Sequence, residues 1–254
     1  MNDIQMQLLI DLHKSNLRQG PGGEAETKKM LKLADIDKSK PLKIADIGCG
    51  TGNSSILLAK ELNAQITAVD FLPEFLEVLQ SQAKAHKEHK VAEKITTLNC
   101  SMDSLPFATE EFDLIFSEGA IYNMGFEAGV ADWKRFLKPG GKLIVSEITW
   151  LTAKRPQELQ AHWDAEYPEI DVASAKIKIL EQHGYCLEAY FYLPVHCWKD
   201  NYYLPMQKGF DAFLERNGQS TQAKEIVEGE KAEIALYEKY SDYYSYGVYI
   251  ARKL

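Results

Sequence analysis

The sequence predicts an α/β fold in which helices cover both faces of a parallel sheet. From Leu42 to about Ile148, short apolar runs typical of buried strands alternate with amphipathic patterns typical of helices. The first apolar run also leads through a glycine-rich turn directly into a helix pattern. Strands that alternate with helices at this spacing pair in parallel through right-handed crossovers, so these two observations define the fold class.

Length and composition limit the classes of protein that fit. The 254 residues are 45% hydrophobic and carry a net charge of −8, which suits a globular protein and argues against a general nucleic-acid-binding surface. The N-terminus lacks the basic start and apolar run of a signal peptide, and no apolar stretch is long enough to span a membrane. Neither metal-ligand spacing nor a disulfide pattern connects the four cysteines, Cys49, Cys100, Cys186 and Cys197. We therefore expect a cytoplasmic protein with reduced cysteines and no metal site.

The N-terminal segment, residues 1–40, is predicted to be a helical arm. Residues 2 to about 16 place four apolar side chains on one helical face, and a second short helix is expected at about Glu24–Leu33. Between them, Arg18–Gly23 contains Gly-Pro-Gly-Gly and forms a flexible break. Packing against the domain is the plain interpretation of the arm. Its place just before a glycine-rich turn also suggests a lid, which we state as a hypothesis.

The turn at the end of the first strand is the most informative stretch. The strand ends at Ile47, and five residues separate it from the helix pattern Asn53–Leu62. Between them stand Gly48, Gly50 and Gly52. Glycine leaves no side chain between backbone and ligand, and amides at a helix start can face an anionic group. A nicotinamide dehydrogenase would have its third glycine where Asn53 stands, so the spacing argues against that alternative.

Further strands and helices complete the core, which covers residues 42–148. The strands are expected at Gln65–Asp70, Lys94–Leu98, Glu111–Ser117 and Lys142–Glu147, and the helices at Pro73 to about His86 and Gly125–Leu137. Pro73 suits the first turn of its helix because its fixed backbone angle is already helical. A Lys-Pro-Gly-Gly turn at residues 138–141 precedes the last of these strands.

The pattern changes over residues 149–254. Helices are expected at Pro156 to about Trp163 and at Val172–His183, and strands at Tyr185–Val195 and Tyr243–Arg252. An insertion at about residues 200–240 lies between these strands and contains helical patterns at Met206–Asn217 and Ala223–Lys239. No linker composition separates this part from the core. The sequence therefore predicts a single domain over residues 1–254, with residues 149–254 on the substrate side.

Four motifs in this order resemble the class I S-adenosylmethionine-dependent methyltransferases. They are Asp46–Gly52, Asp70 at the end of the second strand, Ser101–Phe107, and Phe112–Phe116 followed by Leu137–Leu143. The resemblance covers about residues 42–148. It implies a Rossmann-like, seven-stranded, mostly parallel sheet that ends in a C-terminal antiparallel strand pair, with helices on both faces. It also implies that the cofactor is S-adenosyl-L-methionine.

The resemblance also assigns roles at the cofactor. Gly48 and Gly50 would let the backbone pass close to its methionine and ribose portion. Asp46 would help to hold the ammonium group, although tying down the glycine loop is a nearly equal alternative. Asp70 would accept hydrogen bonds from both ribose hydroxyls, and Phe71 would pack on the adenine face.

The adenine loop departs from the common pattern of the family. Many relatives have Gly-Asp-Ala where this chain has Cys100, Ser101 and Met102. A serine hydroxyl therefore replaces the usual carboxylate, and Asp103 is a further candidate for that role. Asn53 in the first helical turn and Ser117 at the end of the fourth strand complete the predicted cofactor set.

The acceptor is expected beyond the carboxyl ends of the strands. Glu118, Tyr122 and Glu147 follow or end strands there and are the candidate catalytic residues. A carboxylate in that crevice could be a general base or could fix the sulfonium end by charge, while a salt-bridged structural role is an equal alternative. Four aromatic residues are candidates for the pocket wall, Trp150, Trp198, Tyr202 and Tyr203. The insertion could form the roof.

The sequence thus indicates an S-adenosylmethionine-dependent methyltransferase acting on a small molecule. The pattern resembles the branch with the ubiquinone and menaquinone biosynthesis methyltransferases, which implies a quinone-like or other aromatic or apolar acceptor. The alternatives are a non-catalytic protein that binds S-adenosylmethionine or S-adenosylhomocysteine as a sensor or scaffold, and a nucleic-acid or protein methyltransferase. The acidic charge weighs against the last alternative. A homo-oligomer is left open as the assembly.

Overall fold

A computed structural model describes residues 3–87 and 90–254. The helices are α1 Asp3–His13, α2 Glu24–Leu33, α3 Asn53–Glu61, α4 Pro73–Ala85, α5 Val91–Lys94, α6 Phe126–Trp133, α7 Gln157–Glu166, α8 Ala173–Gln182, α9 Val195–Trp198, α10 Leu204–Arg216 and α11 Thr221–Tyr240. The strands are β1 Leu42–Ile47, β2 Ala64–Asp70, β3 Ile95–Asn99, β4 Phe112–Glu118, β5 Leu137–Trp150, β6 Asp171–Val172, β7 Tyr185–Tyr192 and β8 Tyr244–Lys253. Residue 2, where the first helix was predicted to begin, lies outside the described residues.

One sheet runs in the order β3-β2-β1-β4-β5-β8-β7, with the two-residue β6 paired to β5. The pairs from β3 to β5 are parallel, whereas β8 runs antiparallel to both β5 and β7. The predicted seven-stranded sheet with its antiparallel C-terminal pair is therefore confirmed, and β6 is a short addition to it. The strand order reverses between β1 and β4, which places a crevice at their carboxyl ends.

Three predicted boundaries differ from the structure for local reasons. β5 begins at Leu137, because Leu137 pairs with Phe112 before the register shifts; the Lys-Pro-Gly-Gly stretch is thus an irregular part of the strand and not a separate turn. β7 ends at Tyr192, before the predicted Val195, because Pro194 lacks a backbone donor and instead precedes α9. α6 ends at Trp133, and its last predicted residues form a 3-10 turn.

Both faces of the sheet are covered, as the alternation predicted. In β1, Ile44 packs into the cluster formed with α1–α4, α10 and α11, while Ala45 and Ile47 pack into the cluster formed with α6 and α8. The period of two along the strand thus divides the core into two layers.

The arm and the insertion pack against each other at one end of the molecule. α1 contacts α10 and α11, and Asp11 accepts a 2.6 Å hydrogen bond from Nε of Arg216 and a 2.9 Å bond from Nδ2 of Asn217. His13 lies 3.4 Å from Glu230 on α11. None of the helices in the described ranges is long and apolar enough to cross a membrane.

Candidate active site

The glycine turn after β1 adopts a backbone that other residues would strain. Gly48, Gly50 and Gly52 have φ angles of +75°, +55° and +88°, in the left-handed region that favours glycine. A side chain at Gly48 would place its Cβ 2.3 Å from Cβ of Ala120, so space as well as backbone angle requires glycine there. The amides of Gly48 and Cys49 each donate a 2.9 Å bond to the Val69 carbonyl, which fixes the turn against β2.

Two carboxylates lie at this turn, the buried Asp46 and the half-buried Asp70. Asp70 accepts 2.8 Å and 2.9 Å bonds from the amides of Gly50 and Leu72, and burial raises its pKa. Asp46 accepts a 2.5 Å bond from the Ser55 hydroxyl. Burial also raises the pKa of Asp46, to about 7, although the Ser55 bond opposes the shift. Asp46 therefore links β1 to α3, in agreement with the alternative role foreseen for it, and it also faces the cleft.

A cleft of about 500 Å³ lies over the turn. Nine of the ten predicted cofactor residues line it: Asp46, Gly48, Gly50, Asn53, Asp70, Phe71, Ser101, Met102 and Asp103. The adenine loop is fixed from behind, because Nε1 of Trp133 donates a 3.1 Å bond to the Met102 carbonyl. Ser117 does not line the cleft. It is fully buried, and its hydroxyl donates a 2.8 Å bond to the Ile47 carbonyl, which joins β4 to β1.

The loop after α1 covers the cleft with residues that the sequence did not single out. Oε1 of Gln19 accepts 2.9 Å and 3.1 Å bonds from the amide and hydroxyl of Thr51. A Cβ on Gly50 would lie 2.4 Å from the same oxygen. The only signal for these contacts was the place of the Arg-Gln pair before Gly-Pro-Gly-Gly, which suggested a lid without naming its contacts.

Glu118 joins this loop to the cleft. Oε1 lies 3.1 Å from Nη1 of Arg18, and Oε2 accepts a 2.6 Å bond from the Ser54 hydroxyl. The ion pair is only 10% and 6% exposed. The contact between Arg18 and Glu118 does not have the geometry of a hydrogen bond, so Oε1 of Glu118 has no hydrogen-bond donor among the described residues. The predicted catalytic carboxylate is thus held between Arg18 and Ser54 where it lines the cleft.

Glu147, the second predicted catalytic carboxylate, lies on β5 and lines neither of the two cavities described for this site. It is fully buried, and its Oε1 lies 3.3 Å from Nζ of the equally buried Lys176. Burial raises the pKa of Glu147 to about 7, an effect that the Lys176 charge opposes. This arrangement is that of a structural ion pair.

A second cavity of about 740 Å³ adjoins the cleft. Its aromatic lining consists of Tyr122, Trp163, Tyr167, Trp198, Tyr202, Tyr203, Tyr244 and Tyr246. Of the four predicted wall residues, Trp150 is not among them: it is 2% exposed and packs edge-on against Tyr244. α11 of the insertion lines the other side. We call this space the aromatic cavity.

The cleft and the aromatic cavity share five lining residues, Gln19, Gly20, Pro21, Gly119 and Tyr122. The predicted catalytic residue Tyr122 therefore stands where the two spaces meet. Its ring is 39% exposed to them and packs edge-on against Tyr167, with centroids 6.1 Å apart. Burial raises the pKa of its hydroxyl, so the phenol stays protonated at neutral pH.

A third group of polar side chains lies outside both spaces. Ligand atoms of Glu26, His196 and Cys197 lie within 4.8 Å of one another, and Nε2 of His196 is 3.2 Å from Oε1 of Glu26. The sequence predicted no metal site. The contacts of this group are those of an ion pair between α2 and α9 with a thiol beside it.

The sequence of the core matches a known family. Residues 44–141 match the family described as a methyltransferase domain. An uncharacterized protein from Haemophilus influenzae is 28% identical over 150 residues, which are 58% of this chain and 57% of that protein. A demethylmenaquinone methyltransferase from Lactiplantibacillus plantarum is 30% identical over 120 residues, 46% of this chain and 49% of that protein. The chain thus spans about half the length of these curated relatives.

A solved structure extends the likeness to the whole fold. The S-adenosylmethionine-dependent methyltransferase from Geobacter sulfurreducens, in complex with S-adenosyl-L-homocysteine, superposes with a TM-score of 0.84. The two chains are 16% identical, and the match covers 98% of each. At that identity the likeness concerns the fold. Together with the matched family, it confirms the resemblance drawn from the four motifs.

Proposed function

Since the core of this chain belongs to the class I S-adenosylmethionine-dependent methyltransferases, we propose that the chain transfers a methyl group from S-adenosylmethionine to a small molecule. The observation that carries the proposal is the pair of adjoining spaces that share Gln19, Gly20, Pro21, Gly119 and Tyr122. One space suits a cofactor and the other an acceptor, and methyl transfer requires the two to meet in line with water excluded.

The residues of the cleft fit the cofactor. A carboxylate offers about four acceptor positions, so Asp70 retains capacity for the ribose hydroxyls beyond its bonds to Gly50 and Leu72. The Glu118 carboxylate suits the ammonium group of the methionine end, and the Arg18 guanidinium suits its carboxylate, since both side chains line the cleft. Phe71 and Met102 supply the apolar surface for adenine. When bound, the cofactor supplies a methyl group activated by its sulfonium.

On the acceptor side, the residues need to position the acceptor more than to take part in the reaction. The rings of the aromatic cavity exclude water and orient a flat or apolar molecule, or a cation held against their faces, which agrees with an aromatic acceptor, either quinone-like or positively charged. Tyr122, with its protonated hydroxyl at the junction, would position the acceptor atom. The similarity to a demethylmenaquinone methyltransferase supports a small-molecule acceptor.

We also propose that residues 1–254 act as a single domain. The arm contacts the insertion through Asp11 and His13, and it contacts the cleft through Gln19 and Arg18. Removing the arm would therefore open both spaces together.

The test combines binding and turnover. Calorimetric titration with S-adenosylhomocysteine should give saturable binding of one molecule per chain. Incubation with S-adenosylmethionine and a panel of quinols, phenols and amines should release S-adenosylhomocysteine with at least one acceptor. Failure to bind would overturn the proposal, and binding without transfer to any acceptor would favour the sensor or scaffold.

A further inference from the structure

The charged side chains that line the aromatic cavity are acidic. Two carboxylates line it, Glu166 and Glu233, and neither lysine nor arginine is among its described lining residues. His162 is the remaining lining side chain with a basic nitrogen. A cavity whose walls carry negative charge favours a positively charged ligand and repels an anionic one.

Glu233 is the central member of this arrangement. α11 turns Gly229, Ala232, Glu233 and Leu236 toward the cavity, at the spacing of one helical face. Oε1 of Glu233 accepts a 3.0 Å bond from the Tyr203 hydroxyl. Glu233 is exposed by its accessible surface, but desolvation still raises its pKa, and the charge of Glu230 adds to the shift. The nearby His13 is already paired with Glu230, at 3.4 Å.

The Glu233 charge acts on the rings around it. It contributes to the raised pKa of five tyrosines: Tyr122, Tyr202, Tyr203, Tyr244 and Tyr246. All five also line the aromatic cavity. Glu233 thus contacts one of these rings through the Tyr203 hydroxyl and lines the same cavity as the other four.

One ring of the cavity wall, Tyr246, has a single ring neighbour among the described residues. Trp198 is stacked between Tyr237, at 4.3 Å, and Tyr246, at 5.3 Å. Tyr246 ends this stack, and within the described part of the chain Trp198 is its single ring partner. Gly119 lies beside the same ring, since a Cβ on Gly119 would be 3.8 Å from Cζ of Tyr246. An aromatic face near a carboxylate attracts a cation through its quadrupole.

We propose that the acceptor carries an ammonium group, which is held in the aromatic cavity between Glu233 and the surrounding tyrosine rings. This inference rests on the proposed function, because it names the substrate class of the same site. A neutral acceptor filling the cavity would strip water from Glu233 and leave its charge without a counter-ion, which is costly. An ammonium group removes that cost and uses the ring faces as well.

The test compares two ligands of the same shape. Benzyltrimethylammonium carries a fixed positive charge, and neopentylbenzene is its neutral isostere. With S-adenosylhomocysteine saturating the cleft, the cation should bind about 10-fold more tightly than the isostere, as measured by calorimetry. Equal affinities, or tighter binding of neopentylbenzene, would overturn the inference, and this comparison uses the unaltered protein.

Substitution then locates the effect. Glu233→Gln should weaken binding of the cation about 10-fold and leave binding of neopentylbenzene unchanged. Glu238→Gln is the matched control, since it removes the same charge from an exposed position of α11 that lines neither cavity. An equal effect of both variants would refute the assignment to Glu233.

The same samples separate this inference from the proposed function. Binding of S-adenosylhomocysteine without a preference for the cation overturns the inference alone. Absence of S-adenosylhomocysteine binding overturns the proposed function, and a preference for the cation measured without it would still support a cation site.

Discussion

The cofactor cleft and the aromatic cavity adjoin each other but are built in different ways. The cleft is made by the carboxyl ends of β1, β2 and β4, where left-handed glycines and strand-end carboxylates are fixed by the sheet. The aromatic cavity is made largely by side chains from the arm loop, α7 and the insertion. The backbone conformation determines which residues can form the cleft, whereas the identity of the side chains determines the shape of the aromatic cavity. The cleft therefore identifies a cofactor, and the cavity is free to specify an acceptor.

The largest effect on stability is expected at Glu147, which lines neither the cleft nor the aromatic cavity. Measured at a pH above the folded pKa of Glu147, where the carboxyl is ionised, Glu147→Gln should lower the free energy of unfolding by about 3–5 kcal/mol, because it leaves the buried Lys176 charge without its partner. Adding Lys176→Met should restore most of the loss, and denaturant unfolding measures both. If Glu147→Gln instead reduced turnover and left stability unchanged, Glu147 would belong to the acceptor side, as the sequence suggested.

The same pair predicts a pH dependence. The folded pKa of Glu147, about 7, lies above the unfolded value of about 4.3, so the folded state binds the proton more tightly. Its contribution to stability is fully present below the unfolded pKa and is lost as the pH rises through about 7. Unfolding free energies measured at several pH values should fall over that window. The fall should be smaller in the Glu147→Gln, Lys176→Met double variant.

The cleft should be intolerant of a single methyl group. Gly48→Ala would force a Cβ to within 2.3 Å of Ala120 at a φ of +75°, and should weaken S-adenosylhomocysteine binding about 100-fold. Gly140→Ala is the control: its φ is +74° but nothing lies within 4 Å. It should cost about 1 kcal/mol of stability and leave the affinity unchanged. Similar losses of affinity in both variants would mean that backbone strain, and not contact with the cleft, is responsible.

A smaller effect is expected at Asp70. Asp70→Ala should weaken cofactor binding by about 1–3 kcal/mol, the cost of losing a charged hydrogen-bond partner. Asp70→Asn should lose less, since it keeps one acceptor for the Gly50 amide. Calorimetry with S-adenosylhomocysteine gives both values. Unchanged affinity in Asp70→Ala would remove Asp70 from the cofactor site.

These differences explain what the sequence could predict. Asp70 and the glycines were found because strand ends and left-handed turns impose residue types at fixed spacings. Ser117 was misplaced because its position at a strand end does not show which way the hydroxyl points, and it points to Ile47. Glu147 was placed in the crevice because its partner Lys176 is 29 residues away in the chain. The contacts of Gln19 and Glu233 depend on how the arm and α11 pack, which no local pattern encodes.

Glu118 connects the arm loop to the cleft, and it carries the smallest effect we predict. Glu118→Gln removes the charge that faces Arg18 but keeps one acceptor for the Ser54 hydroxyl, so it should loosen the arm over the cleft. We expect about a 10-fold loss of S-adenosylmethionine affinity, the scale of one charge-assisted hydrogen bond, with an equal loss of kcat/KM and little change in kcat. Glu77→Gln, an exposed position on α4, should change neither. A fall in kcat at unchanged affinity would instead make Glu118 a general base, because only then would its carboxylate act on the acceptor and not on the cofactor.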